Sequence, residues 1–164
     1  MFQKLLEQFD CDTSHRIQAL FSGIFIQQNR LQTACEKIQT GLTMKQWLLL
    51  AMLECCDEPK TLSNVGRLMG CSRQNVKKLA DSLMDKGYLT MNSGQNHAVC
   101  LEPTGKVEAY SAEMSQRREQ ALRLLFSDFS EEEIRQLYRL HRKLYTGIAA
   151  VETYAKSIEK GALK

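Results

Sequence analysis

Apolar positions recur with helical spacing along most of this chain. Phe2, Leu5, Leu6 and Phe9 fall at i, i+3, i+4 and i+7 and predict a short amphipathic helix. The polar stretch Asp10–Ser14 is rich in capping residues and predicts a break. A longer helix follows, with Ile17, Leu20, Phe21, Ile24, Leu31, Cys35 and Ile38 on one stripe and Gly41 marking its end. Thr43 and Gln46 have capping-box spacing. The helix they open, about 44–55, is almost wholly apolar after Trp47 and should be buried on most faces.

Beyond a loop at Asp57–Lys60, Thr61 caps a short helix, 62–69, with Leu62, Val65, Leu68 and Met69 apolar. Gly70 suits the left-handed residue after it. Ser72 caps a second helix, 73–86, with Val76, Leu79, Ala80 and Leu83 inward and Gly87 closing it. Two helices joined by so short a turn make a helix-turn-helix. The strand-like runs Tyr88–Met91 and Ala98–Leu101 flank turn residues at Asn92–Asn96 and predict a hairpin. Pro103 then reads as the first residue of a helix over 103–126, carrying Val107, Tyr110, Met114, Ala121, Leu124 and Leu125. Ser130 and Glu133 form a second capping box. The helix it opens, 131–159, has a coiled-coil-like seam at 134, 137, 141, 144, 148, 151, 155 and 158.

The predicted fold is mainly α: a winged helix-turn-helix with one short β-hairpin wing and long N- and C-terminal dimerisation helices. Residues 1–41 and 107–164 supply those helices, and 42–106 form the DNA-binding domain. The outer stripes exceed what so small a core can cover, and a second copy of the chain is the simplest partner.

Composition narrows this picture. The 164 residues include 9 Gly and 2 Pro, few for a sandwich or barrel. The longest apolar run, Trp47–Leu53, is too short to span a membrane. With no secretory pattern near the start, the expected localisation is cytoplasmic. Six cysteines without C-x-x-C spacing predict reduced thiols, mostly buried as small hydrophobes. Carboxylate pairs with catalytic spacing, phosphate loops, nucleophile elbows and metal-ligand clusters are not evident, so neither an enzyme nor a cofactor is expected.

The formal charge of +3 is unevenly placed. Residues 61–106 hold 6 basic and 3 acidic side chains, whereas 1–60 hold 6 and 7. Arg67, Arg73, Lys77 and Lys78 have no acid among them. Ser72, Arg73, Gln74, Asn75, Lys77 and Lys78 crowd the start of the second helix, largely off its core face. Helix N-termini favour phosphate. Arg and Lys can bond guanine, and Asn and Gln can pair with adenine edges in a major groove.

The run Leu42-Thr43-x-x-Gln46-Trp47, then Thr61-Leu-Ser-Asn-Val65, resembles the multiple-antibiotic-resistance regulator (MarR) family of bacterial transcription factors. The likeness continues through Leu68-x-Gly70-Cys-Ser72-Arg73-x-x-Val76, Leu83-x-x-Lys86-Gly87-Tyr-Leu89 and Leu101-x-x-x-Gly105-Lys106. It implies a homodimeric repressor that binds double-stranded DNA and responds to a small-molecule effector such as a phenolic ligand, to an oxidant or to a metal. Two recognition helices in successive major grooves then require a pseudo-palindromic operator. One departure stands out. The family's Asp-x-Arg wing motif falls at about Ser93 and Gln95, in a wing some four residues short, and Asn92–His97 holds no Lys or Arg. Gln95 and His97 are left as the wing's candidate DNA contacts.

Two other readings stay open: a winged-helix protein-interaction module with weak or lost DNA binding, and a redox-sensing regulator. For the latter, Cys11 is the candidate thiol, although its flanking carboxylates oppose thiolate formation. Cys35, Cys71 and the adjacent Cys55 and Cys56 read as packing or turn residues. Trp47, Tyr110, Tyr138 and Tyr145 read as core ahead of ligand lining, and His141 as a seam residue.

Overall fold

Side-chain caps define the helices of the computed structural model, which describes residues 6–56, 59–94 and 98–161. Residues 6–8 are helical, and the earlier part of the predicted first helix lies outside the described residues. Asp12 caps α1 (Thr13–Ile38) by accepting the His15 N–H. That helix ends at Gln39 in extended backbone, before Gly41, whose positive φ serves the following turn instead. Thr43 and Gln46 close both halves of the capping box on α2 (Met44–Cys55). Thr61 and Ser72 cap α3 (Leu62–Met69) and α4 (Arg73–Asp85).

The turn between α3 and α4 depends on two glycines. Gly70 takes the left-handed conformation at the end of α3, with φ 62°. Gly66 provides room: a Cβ there would lie 2.8 Å from the Cys71 carbonyl oxygen. The Gly66 carbonyl accepts the Cys71 N–H at 2.9 Å, so the chain doubles back tightly on α3.

After α4 the chain forms β1 (Leu89–Ser93) and β2 (Val99–Pro103), antiparallel, with Leu89 opposite Pro103 and Ser93 opposite Val99. Pro103 therefore ends a strand and does not begin a helix. Thr104 makes the transition, with its hydroxyl donating to the Gly87 carbonyl and its N–H to the Tyr88 carbonyl. Helix α5 (Gly105–Leu125) starts two residues later than the sequence suggests. The segment before α3 also joins the hairpin: Thr61 bridges Cys100, and the Leu101 N–H donates to the Lys60 carbonyl.

The core lies between Leu42 and Met114. Leu49 and Leu53 of α2, Val65 of α3, Val76, Ala80 and Leu83 of α4, and Leu101 of β2 are wholly buried. Helix α2 presents Leu49, Leu50 and Leu53 to this core, while its other faces are more open than the sequence suggests. Leu68 is exposed, although the other apolar residues of α3, Leu62, Val65 and Met69, are not. Of the thiols only Cys56 is buried; Cys11 and Cys55 are exposed and the other three half-buried. This corrects the expectation of mostly buried cysteines.

Residues up to Arg117 form one unit and those from Arg118 onward a second. The second unit holds the end of α5 and α6 (Glu131–Gly161), opened by the Ser130–Glu133 capping box. Every described side chain of α6 is exposed in the single chain, Tyr138, His141 and Tyr145 included. No described helix is long and apolar enough to cross a membrane.

Candidate nucleic-acid interface

The N-terminal turns of α4 present one continuous polar surface. Val76, Ala80 and Leu83 anchor the opposite face in the core. Ser72, Arg73, Gln74, Asn75, Lys77 and Lys78 are all exposed. The Ser72 hydroxyl accepts the Asn75 N–H at 3.2 Å, so its oxygen serves the helix cap before any ligand.

Electrostatics divide the basic side chains into two groups. Lys86 donates to the Gly41 carbonyl at 2.7 Å and to Gln46 Oε1 at 3.0 Å. Lys106 donates to the Lys86 carbonyl at 2.7 Å and sits 4.7 Å from the centre of the Tyr88 ring. These two cations brace the fold, and half-buried Lys86 and exposed Lys106 do not belong to the α4 surface. Lys77 pairs with Asp81 one turn along α4. Arg67 donates to the neutral Asn64 side chain and keeps its charge. Arg73 and Lys78 make no side-chain hydrogen bond or ion pair with the described residues. The charge available at α4 is thus concentrated on Arg73 and Lys78, more narrowly than the count along the sequence suggests.

A buried polar group positions α4. Gln46 on α2 donates to the Ser82 hydroxyl at 2.9 Å, accepts from Lys86, and accepts the Thr43 N–H at 3.0 Å. Its amide therefore joins the start of α2 to the far end of α4. The sequence identifies Gln46 only as half of a capping box. Its second role depends on a contact across 36 positions, which local spacing does not reveal.

The described part of the wing brings no Lys or Arg to this surface. Asn92 donates to Glu102 across the strands at 2.7 Å, so the described part carries an acidic group. Gln95 and His97 lie outside the described residues. Cys11 is exposed and shares no element with α4. Its thiol lies 3.9 Å from Asp12 Oδ2, as donor to that carboxylate. Asp12 also accepts from the backbone and ring of His15, which hold its carboxyl below the usual carboxylate range.

No family model matches the sequence, and no curated protein is similar to it at a significant level. Solved structures are similar in fold. A MarR/EmrR-family transcriptional regulator from Acinetobacter sp. ADP1 superposes with a TM-score of 0.72 at 17% identity, over 81% of this chain and 96% of its own. A MarR transcriptional regulator from Methanosarcina mazei Go1 gives 0.71 at 13% identity, over 82% and 99%. The organohalide-sensing regulator RdhR-CbdbA1625, solved with 2,4-dichlorophenol bound, gives 0.67 at 14%, over 85% and 83%. Many other neighbours are also MarR-family transcriptional regulators. The chain has the winged-helix fold of that family.

Proposed function

We propose that this chain is a transcriptional regulator that binds duplex DNA as a homodimer, with α4 in the major groove. The exposed N-terminal surface of α4 carries the reading: Arg73 and Lys78, without side-chain partners among the described residues, beside Gln74 and Asn75. Guanidinium and ammonium groups neutralise phosphate or bond guanine, and the amides pair with adenine edges. The proposed division of labour gives Gln74 and Asn75 the base readout and Lys77 and Lys78 the phosphates, Lys77 exchanging its exposed Asp81 partner for phosphate on binding. Ser72 supports them as the cap, and Gln95 and His97 are secondary contacts.

The bare apolar stripes on α1 and α6 support the homodimer. Two recognition helices in successive major grooves need half-sites about 34–36 Å apart, hence a pseudo-palindromic operator. Repression is the proposed output, through occupancy of that operator. A small molecule is the proposed input, a reading supported by the fold neighbour solved with 2,4-dichlorophenol.

Selection of fragments from genomic DNA by the purified protein tests this. The expected result is enrichment of a pseudo-palindrome with half-sites one helical turn apart. Absence of any enriched fragment at low salt, with folded dimeric protein, would favour a winged-helix protein-interaction module instead.

A further inference from the structure

The break before α1 contains a group of side chains that sequence spacing does not disclose. Cys11, Asp12 and His15 each offer one donor atom, and the three atoms lie within 4.8 Å of one another. The cap creates this convergence. Asp12 adopts extended backbone and spends Oδ1 on the His15 N–H at 3.0 Å. That bond holds residue 15 over residue 12 and brings His15 Nδ1 to 2.7 Å from Asp12 Oδ2. Cys11, one residue ahead of the cap, places Sγ 3.9 Å from the same oxygen. A sulfur, an imidazole nitrogen and a carboxylate oxygen therefore converge on one exposed point.

We propose that Cys11, Asp12 and His15 form a binding site for a zinc-class divalent cation at the start of α1. A tetrahedral zinc ion with bonds of about 2.0–2.3 Å holds its ligand atoms roughly 3.3–3.8 Å apart. Small rotations of three exposed side chains reach that spacing. The mixed S, N, O donor set suits zinc or cobalt(II); it is too soft for magnesium or calcium and too oxygen-bearing for copper(I). Three protein ligands leave the fourth position to water.

Charge also balances. The cation binds the Cys11 thiolate and the Asp12 carboxylate, so the metal and these two ligands sum to zero. The partial positive charge of the helix N-terminus then faces a neutral unit. Arg16, the nearest cation along the helix, is hydrogen-bonded to Asp10. On binding, the thiol proton passes to solvent, and His15 keeps a proton on Nε2 while Nδ1 takes the metal. Asp12 retains its cap through Oδ1. The site shares no residue with the α4 surface, and metal binding is measured without DNA, so the two readings fail independently.

The test is titration of the reduced, full-length protein with cobalt(II), followed by displacement with zinc. One cobalt per chain is expected, with a thiolate-to-cobalt charge-transfer band that zinc abolishes. Cys11→Ser should lose the band. Asp12→Asn keeps a good capping residue and the helix start, and should weaken cobalt binding by about tenfold or more, as should His15→Ala. Circular dichroism of each variant checks that α1 is intact. The proposal is overturned by a wild type without the band. It is equally overturned by a band that survives in Cys11→Ser, which would place the metal on one of the other five thiols. Unchanged affinity in both Asp12→Asn and His15→Ala would reduce the site to an adventitious thiol and likewise end it.

Discussion

The segment from Leu42 to Met114 and the helix from Glu131 to Gly161 differ in what they can do alone. The first alternates short elements with tight turns, and all sixteen buried apolar residues among those described lie within it. The second is one uninterrupted helix with an apolar seam, and none of its described residues is buried. Folding back lets a chain bury its own stripe, whereas a straight helix must borrow a surface. Local capping therefore specifies the first region, and the proposed assembly would specify the second. Helix α1 sides with α6: Gly23 is its one buried described residue, and Leu20 and Phe21 are largely bare.

The largest expected effect breaks that contrast at the seam. Leu144→Asp with Ile148→Asp puts two charges on a stripe that the proposed dimer buries, within an interface of roughly 2,000 Å² or more. Sedimentation should show a wild-type dimer and a monomeric double variant. A wild-type monomer at micromolar concentration would remove the proposed assembly.

Paired glycine substitutions sharpen the contrast. Gly66→Ala drives a Cβ to 2.8 Å from a backbone carbonyl that cannot swing away. It should cost about 1–3 kcal/mol in a denaturant titration, as overpacking does. Gly147→Ala, on α6, meets nothing within 4 Å in the single chain. It should gain about 0.5–1 kcal/mol from helix propensity. Destabilisation at Gly147 would show that a partner helix approaches there.

Gln46→Ala should cost about 1–3 kcal/mol, because it strips hydrogen-bond partners from Ser82, Lys86 and the Thr43 N–H together. Gln46→Glu, which can still accept from Lys86, should recover part of the loss.

The smallest effect is at the start of α6. Hydrogen bonds from the Ser130 backbone and hydroxyl hold the Glu133 carboxyl below its usual value of 4.5. A lowered pKa in the folded state means that the contribution is complete above that usual value. It is lost as pH falls through the lower folded value. Melting temperature should therefore fall on acidification, and Glu133→Gln should flatten this small component of the profile.

Most helices were legible because their ends are chemical. Thr43, Thr61, Ser72 and Ser130 each cap the helix that their spacing predicts. The exceptions involve non-local partners. Pro103 resembles a helix start, but it pairs with Leu89 across the hairpin. Local spacing does not single out Gly66, whose need for glycine appears only once the Cys71 carbonyl is placed against it. The candidate surface on α4 was legible as a set of residues, because groove-reading side chains cluster there. Its charge was not, because Lys86 and Lys106 turn inward to carbonyl oxygens. The Cys11, Asp12 and His15 group escaped for a different reason: its residues are close in sequence, but the Asp12 cap is what brings the three donors together.

Whether α4 is the surface that meets DNA is tested most directly by the salt dependence of binding. Affinity for a selected fragment should be measured across a salt series for wild type, Lys78→Ala, Asn75→Ala and Gln95→Ala. Lys78→Ala should weaken every sequence alike and reduce the salt slope by about one charge per subunit. Asn75→Ala should cost about 1–3 kcal/mol at particular base pairs only. Gln95→Ala should matter less than either. Wild-type binding and slope in Lys78→Ala and Asn75→Ala, with binding abolished in Gln95→Ala, would move the interface from α4 to the wing and contradict the account.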